Sequence, residues 1–155
     1  MKKTVLFGML LSTLLIFNNC TKVNSILNTG TVQCKVDGTS WKSISPTTYY
    51  GSIAAPVGTT ITALATDTKE MIIHLPSLVA IGTYTFTAGN TDLFATWADT
   101  PKSKTYTSID GLVQITEIDA DGKISGNFHF TGKDDAGTVT VSITEGTFSK
   151  VVKKI

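Results

Sequence analysis

The chain predicts an all-β fold, an antiparallel β-sandwich or partly open barrel of about 8–10 short strands. Three observations carry that expectation. Threonine, a strand former, occurs 27 times in 155 residues, while arginine is absent. Apolar residues alternate with polar ones at period two along most of the chain. Turn-forming clusters recur between the alternating runs at Thr66–Lys69, Ala88–Thr91, Thr100–Lys104, Ala120–Gly122 and Lys133–Gly137.

The runs follow in order. TVQCKV places Val32, Cys34 and Val36 on one face, and Asp37-Gly38 then supplies a strong hairpin signal. SWKSI carries Trp41. TITALA gives Ile61, Ala63 and Ala65, and EMIIHL gives Met71, Ile73 and Leu75. GTYTFT puts Tyr84 and Phe86 opposite Thr83, Thr85 and Thr87. LFATWA and TYTSI carry Trp97 and Tyr106, and GLVQITEI gives Val113 and Ile115. KISGNFHF gives Ile124, Phe128 and Phe130, with Gly126 on the same face. TVTVSIT gives Val139, Val141 and Ile143 against Thr138, Thr140, Ser142 and Thr144. One-sided alternation of this kind implies antiparallel pairing with one wet face. An unbroken strand through TVTVSITEGTF would turn Phe148 to water, so a bulge is expected at Glu145-Gly146 to return it to the core.

The N-terminal segment reads as an address. Lys2 and Lys3 precede a mostly apolar stretch, Val5 to Phe17, of thirteen residues. As a helix it would span roughly 20 Å at about 1.5 Å per residue, short of a hydrocarbon core of roughly 30 Å. Residues 1–19 are therefore read as a secretory signal peptide. No A-x-A-like cleavage pattern follows; the residues are Phe17, Asn18, Asn19 and then Cys20. A cysteine at that place resembles the lipobox of bacterial lipoproteins, whose thiol is acylated and becomes the first mature residue. Phe17, Asn18 and Asn19 depart from the usual leucine and small residues, a looseness similar to that of Bacteroidota leaders. Residues 20–30 then form the lipidated Cys20 and a polar tether, and residues 31–155 the all-β domain. With Cys20 in a thioether, Cys34 has no disulfide partner and is expected as a free, buried thiol.

From Gly111 the order G-x-V-x-I-T, acidic turn, I-S-G-x-F-x-F, polar loop, I-T-x-G-x-F, preceded by KVDGTSW and GTYTF, resembles a family of small Bacteroidota lipoproteins. Their shared domain is of unknown function. The resemblance spans about Val32 to Val152. It implies a secreted all-β domain behind a lipid anchor and supplies no catalytic or ligand-binding residues.

Charge excludes some functions. The formal net charge is +1, with no arginine to grip phosphates, so no nucleic-acid partner is expected. Asp119, Asp121 and Gly122 echo part of a calcium loop, but the donor positions run out, and an ordinary acidic turn is expected. His74 and His129 are the only histidines. Each falls opposite the main apolar set, too few for a zinc site. No nucleophile elbow occurs, so no catalytic residue, cofactor or metal is expected. The aromatics are the best ligand candidates, because flat rings stack on sugar faces. Trp41, Tyr84 and Trp97 fit core phases, whereas Tyr49-Tyr50 lies in a less regular segment where one ring must point outward. Tyr49 and Tyr50 are thus the sequence's candidate ligand-binding pair. The expectation is a monomeric, non-catalytic binding or structural module on the membrane through its N-terminal lipid. It would recognise a glycan or another envelope component. The alternatives are a lipocalin-like carrier of a small apolar ligand and, third, a hydrolase. The segment after Cys20, TKVNS, lacks an acidic run, which favours the periplasmic face of the outer membrane.

Overall fold

A computed structural model describes residues 30–44, 48–53, 58–76 and 79–154. The leader and Cys20 lie outside them. Among the described residues, ten strands form one continuous sheet: β1 (Thr31–Val36), β2 (Thr39–Lys42), β3 (Tyr49–Ile53), β4 (Gly58–Leu64), β5 (Lys69–Leu75), β6 (Gly82–Thr85), β7 (Phe94–Asp99), β8 (Lys104–Ile118), β9 (Ile124–Asp134) and β10 (Thr140–Lys153). A 3-10 turn, Thr100–Lys102, joins β7 to β8. No α-helix occurs among the described residues.

The sheet closes on itself. Following its pairings, β3, β4, β5, β7, β8, β9 and β10 make a ring of seven, a closed barrel. Of the two architectures left open by the sequence, the sandwich is not the one found, and the barrel is closed. Closure also corrects the expectation of purely antiparallel pairing. A ring with an odd number of strands cannot alternate direction all the way round. One neighbouring pair must run the same way, and here it is β10 with β3, where Val152 meets Tyr49 and Lys153 meets Tyr50. Two further pieces extend the ring. The β1–β2 hairpin continues from β10, and Ile44 beyond it donates its N–H to the Leu64 carbonyl at the end of β4. β6 lies along β8.

Bulges bend the long strands enough to close the ring. β8 carries extra residues between Ser108 and Asp110 and between Ile115 and Glu117. β10 carries them between Ile143 and Gly146 and between Phe148 and Val151. The first β10 bulge is the one the sequence implied. Glu145 takes a left-handed φ of 51°, and Phe148 returns to the core at 1% exposure. The Asp37-Gly38 turn has φ of 48° and 80°, the positive values that a two-residue hairpin of the primed type needs. The runs TYTSI and GLVQITEI, with no turn signal between them, are one strand, β8.

The barrel interior is occupied by side chains. Ile61, Met71, Ile73, Leu75, Phe86, Ile115, Phe128, Ile143 and Phe148 are essentially inaccessible. Across β9 and β10 the packing is reciprocal. Phe148 pairs with Gly126, and Phe128 pairs with Gly146. A Cβ on Gly126 would fall 2.3 Å from Phe148 Cζ, and one on Gly146 would fall 2.6 Å from Phe128 Cδ2. Each glycine is the space that the opposing ring fills. Cys34 is buried and free as expected, and burial pushes its thiol up to about 12.

Val139 departs from the expected buried face, at 44% exposure. Asp134 is the cause. Its carboxylate accepts the N–H groups of Thr138 and Val139, and its own N–H donates to the Val139 carbonyl. The turn thereby reaches as far as Val139, and β10 begins only at Thr140. Donation from Val139 above all, then from Thr138 and Lys104, holds the Asp134 carboxyl at about 2.

Candidate functional site at the barrel mouth

Four turns gather at one end of the barrel: β1–β2, β4–β5, β7–β8 and β9–β10. Between the first three lies a recess of about 270 Å³ lined by Val36, Asp37, Thr39, Ser40, Trp41, Asp67, Lys69, Trp97, Asp99 and Lys102. Local sequence builds it. In FATWAD the alternation that buries Ala95 and Trp97 also turns Asp99 inward, at 5% exposure. On the hairpin, Trp41 pairs with Cys34 and folds over the barrel end. There its ring stands edge-on to Trp97, with centroids 5.1 Å apart and planes at 87°. The two tryptophans thus pack perpendicular to each other, with Trp41 8% and Trp97 2% exposed.

The charges around the recess are mostly matched. Asp67 meets Lys69 at 2.6 Å, and that lysine holds the Asp67 carboxyl below its ordinary range. Asp99 Oδ2 meets Lys102 at 3.0 Å. The Asp37 carboxylate accepts the Ser142 N–H at 2.8 Å, which ties the hairpin turn to β10. Two buried polar atoms, Trp41 Nε1 and Asp99 Oδ1, have no hydrogen-bond partner. Asp99 also immediately precedes the 3-10 turn, where an aspartate commonly caps the first N–H groups, yet it makes no capping hydrogen bond.

The other residues singled out from the sequence lie elsewhere. Tyr49 and Tyr50 sit at the opposite end, at the β3–β10 closure. Tyr50 is buried, and its hydroxyl donates to the Gly122 carbonyl. Burial, together with the nearby Asp119 carboxylate, raises its pKa. Tyr49 is half-buried, with Lys154 Nζ 4.5 Å from its ring centroid. Asp119 accepts the N–H groups of Asp121 and Lys123, an acidic turn. His129 is exposed. His74 lies on the outer face of β5 but is fully buried, tilted against Phe94 at 5.0 Å and packed beside Gly58. Among the described residues no group of three His, Cys, Asp or Glu side chains converges as metal ligands would.

Sequence reasoning placed Trp41 and Trp97 in the core and passed over Asp99. The signal for Asp99 was present, because a carboxylate two positions after Trp97 shares its inward phase.

No curated protein and no solved structure matches the chain. A family model does match, over residues 28–152, which run from before β1 to within one residue of the end of β10. The chain therefore belongs to the DUF6252 family, a domain of unknown function.

Proposed function

We propose that the protein is a lipid-anchored component of the bacterial cell envelope whose barrel is a monomeric, non-catalytic binding module for a glycan. The observation that carries the binding half is the recess at the barrel mouth. Trp41, the less buried of the two indoles at 8% exposure, lines it and supplies the apolar edge for a sugar, and Thr39, Ser40 and paired charges surround it. Charges already neutralised within the protein favour a neutral ligand over an ion. The closed barrel is also compatible with a lipocalin-like carrier. The glycan reading is preferred because the barrel interior is occupied by Phe128, Phe148, Met71 and their neighbours, where a carrier would place its cargo.

The anchoring half rests on Lys2, Lys3, the Val5 to Phe17 stretch and Cys20. Two or more acyl chains on Cys20 would hold the domain stably, at about 0.8 kcal/mol per buried CH₂. The tether, residues 21–30, reaches at most roughly 35 Å at about 3.5 Å per residue. That length places the barrel close to the membrane from which it hangs, the periplasmic face of the outer membrane in this reading.

Two measurements test the proposal. Radiolabelled palmitate should mark the wild-type protein and not Cys20→Ser; label on both defeats the anchor. On a glycan array the protein should bind a subset of neutral glycans, and Trp41→Ala should lose them. A blank array with saturable uptake of an apolar fluorophore supports the carrier instead.

A further inference from the structure

We infer that the anchored barrel stands on its membrane with the recess turned away from it, and that Lys153 and Lys154 rest on the phosphates of the lipid headgroups. The inference rests on the anchoring half of the proposal above. It adds which end of the barrel meets the bilayer and through which side chains.

The direction of β1 sets the two ends. The chain that leads from Cys20 enters the barrel at Gly30, which is packed so closely on β10 that a Cβ there would fall 2.7 Å from Val151 Cα. From that point β1 runs antiparallel to β10, with Thr31 beside Ser149 and Val36 beside Ile143. It ends at the hairpin turn, where Val36 and Asp37 line the recess. The point of entry and the recess therefore lie at opposite ends of one six-residue strand, roughly 17 Å apart at about 3.4 Å per residue. The neighbouring strands agree. Ile124, the first residue of β9, pairs with Val151, so the β8–β9 turn lies beside Gly30. β10 then continues past that level to Lys153, and the Lys154 N–H donates to the Tyr50 carbonyl.

Charge and exposure at the entry end say what it meets. Around the β8–β9 turn most charges are matched within the protein. Lys150 meets Glu117 at 2.8 Å and Asp119 at 3.3 Å, and Lys123 meets Asp121 at 3.3 Å. Lys153 and Lys154 are exposed, and neither makes an ion pair among the described residues. The Lys154 ammonium lies over the Tyr49 ring, which steadies it and leaves its charge intact. Ile81 stands at the same end, because Gly82 pairs with Ile115 near the close of β8. At 66% it is the most exposed large apolar side chain among the described residues. The recess differs, since both of its lysines have an aspartate, Lys69 with Asp67 and Lys102 with Asp99. Two unmatched ammonium groups beside an exposed isoleucine suit a headgroup layer, where phosphate lies next to hydrocarbon. Two lysines are too few to bring a free protein to a membrane. On a protein already tethered they act at high effective concentration, and setting its orientation is enough.

The test places the ¹⁵N-labelled lipidated protein in nanodiscs that carry a headgroup nitroxide lipid. One set is phosphatidylcholine, and the other is phosphatidylcholine mixed with phosphatidylglycerol. The amides of Ile81, Gly122, Lys153 and Lys154 should broaden, and those of Asp37, Asp67 and Lys102 should stay sharp. Changing Lys153→Gln and Lys154→Gln together should cut the broadening at Ile81 and Gly122 about twofold in the phosphatidylglycerol discs. Unchanged amide positions elsewhere certify the fold. Recess amides that broaden as much as Lys153, or a double variant that broadens like the wild type, overturn the inference while the anchor stands. A chain that elutes apart from the discs and takes no palmitate label removes the anchor and the inference together.

Discussion

The β9–β10 wall and the barrel mouth are built from the same kinds of residue and reach opposite ends. In the wall, Phe128 and Phe148 each occupy the space of a facing glycine and stack with centroids 6.4 Å apart. In the mouth, Trp41 and Trp97 also pack ring against ring, but beside them two polar atoms are buried without partners. The wall is packing alone, and its shape leaves no latitude. The mouth gives up some stability, because an unmatched buried polar atom costs on the order of 1–3 kcal/mol. A protein violates a local rule mainly where something other than folding sets the residue. The contrast thus separates the part of the barrel that specifies shape from the part that carries the proposed site.

The strongest test of that contrast is Gly126→Ala. The new methyl carbon would fall 2.0 Å from the Gln114 carbonyl oxygen as well as against Phe148. Backbone cannot yield as a side-chain tip can, so urea denaturation should register a loss of about 3 kcal/mol or more, or no folded protein. A loss below about 1 kcal/mol would mean that the wall is less rigid than its packing implies.

His74 sharpens the comparison from a third place, since it too is buried with neither ring nitrogen partnered, but far from the recess. Burial lowers its pKa below the ordinary 6.5, with Asp92 pulling weakly the other way. As pH falls, the unfolded chain takes up the proton first. The contribution of His74 is therefore complete above pH 6.5 and declines below it, by at most about 1.4 kcal/mol per pH unit for one proton. Chemical denaturation at a series of pH values between 5 and 7 should show this slope, and His74→Leu should remove it. A slope unchanged in the variant would assign it to other groups.

Smaller effects are expected at the mouth and at the bulge. Trp41→Phe removes an unmatched donor along with some ring area, and the two partly offset, leaving a stability change within about 1 kcal/mol. A loss of several kcal/mol would place Trp41 with the wall and not with the site. Glu145→Gly relieves a left-handed residue, a gain of about 1 kcal/mol. It also gives up an exposed ion pair with Lys35 worth about 0–1 kcal/mol. The net should be a slight rise in melting temperature; a clear fall would show that the Glu145 side chain anchors the bulge.

Much of the fold was legible because alternation and turn chemistry are local. Asp37-Gly38 announced its hairpin, and the misphasing of Phe148 announced a bulge two residues before it. What was not legible depends on residues far apart in the chain. Period two cannot distinguish a curled sheet from two stacked ones, so closure and the parallel β3–β10 pair were hidden. Val139 kept the correct phase for burial but was taken into a turn by the Asp134 carboxylate. His74 had an outward phase yet is buried, because neighbours such as Phe94 and Gly58 cover that face. The candidate site was missed for a related reason. Trp41 and Trp97 fit core positions, so nothing local marks the space beside them, whereas Tyr49 and Tyr50 stand out in a less regular segment. Only the fold brings the turn of β1–β2 over the end of β7.

The odd number of staves has a kinetic consequence. Most hairpins in the ring can assemble from near neighbours within the chain, but the seam joins Tyr49 and Tyr50 to residues about a hundred positions away. Loop-closure entropy must be met before that contact gives anything back, which puts assembly in the slow regime of non-local β topologies, about milliseconds to seconds. Until the seam forms, β3 and the Val152–Lys153 end of β10, which lies past the stretch paired with β1, lack each other as partners, and an unpaired border of that kind recruits other chains. An anchor of the kind proposed above, by holding molecules apart, would lengthen the time each has to finish alone.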